Sequence, residues 1–294
     1  GGLRIGPAAL AEGSVAVAVP FAWEGGEGVL KVLKPGVARR LAEDLEIWGR
    51  LAGFLEERSA ELGLPDLGYG ELLASVGRLL ENEIRLEGEQ AHMAAARHRA
   101  PPGVLVPALL PWCTPQLTAM ERVHGVPVTE TTGLDAAARR RLAATLLEAL
   151  LARPFLDPAE RVPFHADPHA GNLFLTDDGR LAILDWALVV EVSREQREAL
   201  LGIVLGALTH NAPAVRQAVE ALSRGGGDGT ALGEAVDEAL AQVRRGRFPG
   251  LAWSLDLLDD IATRCALRFP EELLLLRKAL LTLLGVLADV DAGC

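Results

Sequence analysis

Apolar and small residues alternate along residues 14–20 (SVAVAVP), the period expected of a strand with one covered face. After the turn-forming EGGEG, residues 28–33 (GVLKVL) predict the partner strand of a hairpin, and Pro35-Gly36 ends it. The period then changes. Residues 37–62 carry apolar positions at helical spacing, residues 63–70 form a Pro/Gly-rich break, and residues 70–99 predict one long, strongly charged helix. Two short strands are expected at 104–107 and 116–122, around a turn at 111–115. A helix follows over 134–153, with Thr131 or Thr132 as its cap and Pro154 closing it. Residues 172–176 and 181–184 frame a DDG turn as a small hairpin. Everything after Ser193 reads as helix, with a break at RGGGDG, residues 224–229.

Strands first and helices later, without βαβ alternation, predict an α+β protein. Its strand-containing lobe is expected over residues 1–122 and a larger helical lobe over 123–294, together forming one domain. With 294 residues, half of them hydrophobic, the chain can build a real core.

The formal charge of −11 argues against a sequence-blind grip on nucleic acid, because phosphates would repel the molecule. Cys113, Cys265 and Cys294 are odd in number and widely spaced, so they read as reduced cytosolic thiols. No secretory signal opens the chain, and a first residue of Gly rather than Met leaves open whether the start is trimmed. The most apolar stretch, residues 271–290, carries Arg277 and Lys278 near its middle. It predicts a buried helix rather than a membrane span and leaves room for membrane contact through one face.

The densest chemistry lies in FHADPHAGN, residues 164–172. Asp167 and Asn172 are five apart, and Asp185 ends the apolar run LAIL. Phosphoryl transfer needs such a set: a carboxylate near the attacking hydroxyl or water, with an amide and a second carboxylate on Mg²⁺. A hairpin between Asn172 and Asp185 would bring those two oxygen donors together. Zinc is one rival, through His165 and His169, but Pro168 stands between them and breaks a metal-binding helix. An ordinary solvated turn is the other. Lys31, inside a predicted strand, could neutralise phosphate oxygens. Glu87 on the charged helix could pair with it, although Glu81, Glu83, Glu87 and Glu89 also read as a solvated acidic face.

A strand lysine, a helix glutamate, HxDxxxxN and a later Asp follow the order of a protein-kinase-like fold. The chain resembles the UbiB/AarF family of atypical kinases, associated with ubiquinone biosynthesis. The resemblance lies in LKVLKPGV (30–37), ENEIRLEGEQ (81–90), LTAMERVHGVPV (117–128), FHADPHAGNLFLTDDGRLAILDWA (164–187) and LLLLRKALLTLLGVLADVD (273–291).

It implies a bilobal protein-kinase-like fold that binds ATP and Mg²⁺. Lys31 would hold the α/β-phosphates, Glu87 would pair with Lys31, Asp167 would be the base, and Asn172 and Asp185 would bind Mg²⁺. Glu121, Arg122 and Val123 would border the adenine, and Ser14 would stand in the Ala-rich phosphate loop. His165 would hold the catalytic loop, while His169 takes the place of a lysine in typical kinases. Glu81 and Glu83 occupy the family's ExD pair.

The family's KxGQ extension has no match in these residues, which implies a more open cleft. DFG is replaced by Asp185-Trp186-Ala187, which is expected to hold Asp185 near its metal-binding position, with Trp186 packed under the charged helix. The implied enzyme is a phosphotransferase or ATPase with a nucleotide as one partner and a small molecule, lipid or protein as acceptor. An aminoglycoside-phosphotransferase-like small-molecule kinase and a non-catalytic ATP-binding scaffold are the alternatives.

Overall fold

The computed structural model describes residues 2–59, 61–63, 68–131, 133–225, 229–265 and 267–290. Thr132, the centre of the RGGGDG break, part of the 63–70 break and Cys294 lie outside the described residues. The chain divides into two compact units: Gly1–Thr131 with Gly171–Leu188, and Thr132–Ala170 with Val189–Cys294.

The first unit opens with a five-stranded antiparallel sheet. Strands β1 (Arg4–Ile5) and β2 (Ala11–Glu12) both pair with β3 (Ala16–Trp23). β3 pairs with β4 (Gly26–Leu33), and β4 pairs with β6 (Leu117–Glu121), which follows the short β5 (Val104–Leu105) in the chain. The predicted hairpin is therefore β3–β4, with Ala18 and Thr118 flanking Lys31 in register. It ends in a turn with Pro35 at its second position and Gly36 at its third, where φ is +74°, a left-handed angle suited to glycine. Phe21, Leu30 and Ala119 are buried beneath the sheet, with Trp23 and Trp112 packed on them.

Helix α1 (Val37–Arg58) packs on α2 (Tyr69–Glu83), and α3 (Leu86–Arg99) follows. The one long helix expected over 70–99 is thus two. The backbone leaves helical angles at Arg85, with φ −97° and ψ 80°.

In α3, Leu86, Glu89 and Met93 are buried, a stripe at i, i+3 and i+7. Gln90 fixes the rotation of this helix by donating to the carbonyls of Thr114 and Leu117 and to Thr118 Oγ1. Two turns later Arg97 Nη1 donates to the Val106 carbonyl at 2.6 Å.

A second sheet in this unit runs β5, β10 (Leu181–Ile183), β9 (Leu173–Thr176) and β7 (Gly125–Pro127). The expected small hairpin is β9–β10. Its parallel pairing with β5 and antiparallel pairing with β7 return residues 171–188 to the first unit, well past the boundary expected at 122.

The second unit is helical except for β8 (Arg161–His165), antiparallel to β11 (Val189–Ser193). Neither strand was expected from the hydrophobic pattern. Helix α4 (Ala136–Leu147) is capped by Asp135, whose carboxylate accepts from Ala138 N at 2.7 Å, rather than by a threonine. Thr131 instead donates to the Val128 carbonyl.

Pro154 does not close this helix either. A π turn over Glu148–Ala152 leads into α5 (Arg153–Leu156). A wider i→i+5 turn accommodates a ring that has no N–H and would clash with an α-helical carbonyl. Helices α6 (Arg194–Leu208), α7 (Ala212–Leu222), α8 (Gly229–Arg244), α9 (Leu251–Cys265) and α10 (Glu271–Val290) complete the unit. Among the described residues no helix is long and apolar enough to cross a membrane.

Candidate functional site

Three elements of the first unit converge on one lysine. Lys31, in the middle of β4, places Nζ 2.7 Å from Glu89 Oε1 and 2.8 Å from Asp185 Oδ2. Lys31 is 15% exposed, Glu89 1% and Asp185 34%, so the pair with Glu89 is dry and the pair with Asp185 faces solvent.

The partner expected from sequence was Glu87, and that expectation is corrected. Glu87 is exposed in the first turn of α3, one residue and so about 100° around the helix from Leu86, off the stripe that Leu86 and Met93 bury. Glu89 lies in that stripe. The signal was available in the sequence, because Leu86 and Met93 at i and i+7 mark the inner face and Glu89 falls on it.

Burial by itself would lower the proton affinity of Lys31, but Asp185 and then Glu89 outweigh it, and the net direction is up. Glu89 also moves up, to about 7. Burial penalises its charged form, Lys31 opposes that, the Asp185 charge adds to the rise, and the Trp186 amide pulls slightly downward. One buried cation thus faces two carboxylates.

The β9–β10 hairpin sets the remaining donors. Leu173 is in register with Ile183, and Leu184 N donates to the Asn172 carbonyl at 2.9 Å. Asn172 and Asp185 therefore emerge from the same end of the hairpin. Asp185 Oδ1 accepts from Ala187 N at 2.9 Å, which closes the Asp-Trp-Ala turn. Trp186 donates through Nε1 to the Ile183 carbonyl, lies against the Met93, Val106 and Met120 cluster, and has its own carbonyl 3.1 Å from His92 Nδ1. It packs beside α3, as the sequence predicted.

Asn172 and Asp185 are hard oxygen donors two strand-ends apart, a set suited to Mg²⁺ completed by phosphate oxygens and water. No group of three or more His, Cys, Asp or Glu capable of holding a metal occurs among the described residues.

Other expected residues have mixed placements. Ser14 is exposed at the turn between β2 and β3, where Gly13 N donates to the Ala16 carbonyl. Glu121 ends β6, with its carboxylate accepting from Ala108 N and 3.6 Å from Arg97. Arg122 and His124 both bind Glu27, at 3.0 and 2.6 Å, and Val123 between them is half-buried. Glu81 makes a surface pair with Arg85, and Glu83 is the last residue of α2.

In the second unit, β8 delivers buried His165, whose Nδ1 accepts from Asp167 N at 3.2 Å. His169 N donates to the Asp167 carbonyl at 2.9 Å, and His169 Nε2 stands 3.7 Å from Asp167 Oδ2. The loop is thereby folded around Asp167. Lys278 of α10 lies 2.9 Å from Asp167 Oδ1, a contact between distant segments that no local pattern marks.

The ABC1 atypical kinase-like domain matches residues 7–219. A protein of Mycobacterium tuberculosis described as uncharacterized is 32% identical over 193 residues, covering 63% of this chain and 38% of its own length. "Probable protein kinase UbiB" of Xanthomonas campestris pv. campestris is 27% identical over 286 residues, covering 90% of this chain and 49% of that one. The chain spans less than half the length of these curated relatives. The structure titled as the Rv3197–erythromycin complex from Mycobacterium tuberculosis aligns over 98% of this chain and 74% of that one. Its TM-score is 0.65 at 20% identity, a likeness of fold. The fold is kinase-like, and the chain belongs to the ABC1 atypical kinase-like family.

Proposed function

We propose that the chain binds Mg-ATP and transfers or hydrolyses its γ-phosphoryl group. The observation that carries this reading is the Lys31–Glu89–Asp185 cluster, with Asn172 at the same hairpin end. Lys31 would contact the nucleotide phosphates, and Glu89 would keep its ammonium in place. Asn172 and Asp185 would hold Mg²⁺, which supplies charge neutralisation on the phosphates when bound. Asp185 would exchange its contact with Lys31 for this role. Asp167, five residues before Asn172, would accept the proton of the attacking hydroxyl or water. Ser14 and the 121–123 segment would border the phosphates and the base.

A small lipophilic molecule of the quinone-pathway kind, or water, suits this chain better as acceptor than a protein. Only residues 186–193 separate Asp185 from α6, and five of those form β11, so the stretch after Asp185 is short for an activation segment that would hold a peptide.

Thermal shift with MgATP tests the reading. At 100 times its dissociation constant the ligand should add about 2.7 kcal/mol of stability to the wild type. Lys31→Ala should abolish most of the shift, and Asp185→Asn should remove its dependence on Mg²⁺. A folded wild type with no shift would refute the proposal.

A further inference from the structure

Glu89, His92 and Met93 stand at i, i+3 and i+4 on α3, within about 100° of arc on one side of the helix. All three meet the stretch Asp185-Trp186. Glu89 Oε1 holds Lys31 Nζ at 2.7 Å, and the same ammonium reaches Asp185 Oδ2 at 2.8 Å. Met93 belongs to the cluster against which the Trp186 side chain packs. His92 reaches the backbone itself, with Nδ1 3.1 Å from the Trp186 carbonyl oxygen. A carbonyl oxygen can only accept, so Nδ1 carries the proton and donates.

The position of that carbonyl links His92 to the carboxylate. The Trp186 C=O and the Ala187 N–H belong to one planar peptide unit and point to opposite sides of it. His92 holds the oxygen on one side. On the other, Ala187 N donates to Asp185 Oδ1 at 2.9 Å. Turning this plane would therefore move both bonds together. Packing on Met93 is non-directional and tolerates such a turn, whereas hydrogen bonds weaken steeply as their angle falls towards about 120°.

We propose that His92 is a positioning residue for Asp185: by holding the Trp186 carbonyl it sets the peptide plane whose N–H grips Asp185 Oδ1, and so aims the carboxylate. The helix that steadies Lys31 through Glu89 thus also sets Asp185, one helical turn further on. The metal-binding side of this role rests on the phosphotransfer reading given above; the orientation of the plane does not.

Two measurements on the full chain test it. One hydrogen bond of this kind is worth roughly 2- to 10-fold in a local opening equilibrium. In ligand-free protein, His92→Leu should therefore speed amide hydrogen exchange across residues 185–188 by about that factor, while exchange around Met93 and the melting temperature stay near wild type. Losing a residue that orients a metal ligand typically costs on the order of 10- to 100-fold in metal affinity. At fixed ATP, the Mg²⁺ concentration giving half of the thermal shift should accordingly rise about 10-fold in the same variant.

His92→Asn places a side-chain N–H close to where Nδ1–H stands, and should keep both readouts within about 2-fold of wild type. His92→Gln carries its N–H one bond further out and should behave as His92→Leu does. Helix propensity runs the other way, favouring Leu and Gln over Asn, so rescue by Asn is not repair of the helix. Should His92→Leu fail to fold, His92→Gln carries the same expectations.

Unchanged exchange across residues 185–188 in the Leu and Gln variants would overturn the proposal, as would equal losses in all three variants. Faster exchange with an unaltered Mg²⁺ requirement would overturn it too, because the plane would then not aim Asp185. A wild type without any MgATP shift would instead remove the phosphotransfer reading, and the exchange measurement would still decide whether His92 holds the plane.

Discussion

Glu89→Gln separates the two helical positions competing for Lys31, and its effect on stability has a sign that an ordinary salt bridge would not give. Glu89 is buried with Lys31 at 2.7 Å, and Asp185 shares that lysine at 2.8 Å. Burial first, then the Asp185 charge, raise Glu89 from 4.5 to about 7 against the pull of Lys31 and the Trp186 amide. A carboxyl with this direction of change holds its proton more tightly in the folded state than in the unfolded one. Its stabilising contribution is complete below about pH 4.5 and lost as pH rises through about 7.

At about 1.4 kcal/mol per pKa unit, the loss amounts to at most about 3 kcal/mol. Glutamine keeps the shape and cannot ionise, so the loss should vanish. Urea unfolding followed by tryptophan fluorescence from pH 5 to 8 should show variant and wild type close at pH 5. By pH 8 the variant should be more stable by about 1–3 kcal/mol. The same substitution should weaken MgATP binding about tenfold, because Lys31 loses the group that aims it. Glu87→Gln, exposed on the other side of α3, should track the wild type in both assays. Parallel pH curves for Glu89→Gln and wild type would refute the reasoning, as would a flattened curve for Glu87→Gln.

Ala187→Gly should loosen the turn that its amide closes on Asp185 Oδ1, and MgATP affinity should fall several-fold by titration while the melting temperature changes little. Unchanged affinity would make the Asp-Trp-Ala segment packing alone. Arg197, 2% exposed, donates to the carbonyls of Pro154, Phe155, Asp157 and Ala159. Arg197→Met should strand those carbonyls and cost about 3 kcal/mol or more in urea unfolding, and a cost below about 1 kcal/mol would show that the loop does not depend on it.

The elements that depend on local period and local chemistry were legible in the amino-acid sequence. The β3–β4 hairpin follows from period-two alternation, the Pro35-Gly36 turn from residues whose backbone angles are restricted or freed, and the helices after Ser193 from 3.6-residue spacing. The meeting of Asn172 and Asp185 followed from the DDG turn between two short apolar runs. Each of these is decided within a few neighbouring residues.

What needed tertiary structure is whatever distant segments settle together. The acidic run from Glu81 to Glu89 offers several partners for Lys31. The break at Arg85 and the anchoring of Gln90 and Arg97 choose Glu89, by setting the rotation of α3 against the sheet. The strands β8 and β11 are too short and mixed to announce themselves, and become strands by pairing with each other. Residues 171–188 join the first unit because β5 and β7 supply their hydrogen-bond partners. Lys278 reads in sequence as a charge interrupting an apolar helix, and only the packing of α10 on β11 and α4 brings it to Asp167. Periodicity tells which residues face inward; which charges meet there is fixed by how the elements pack.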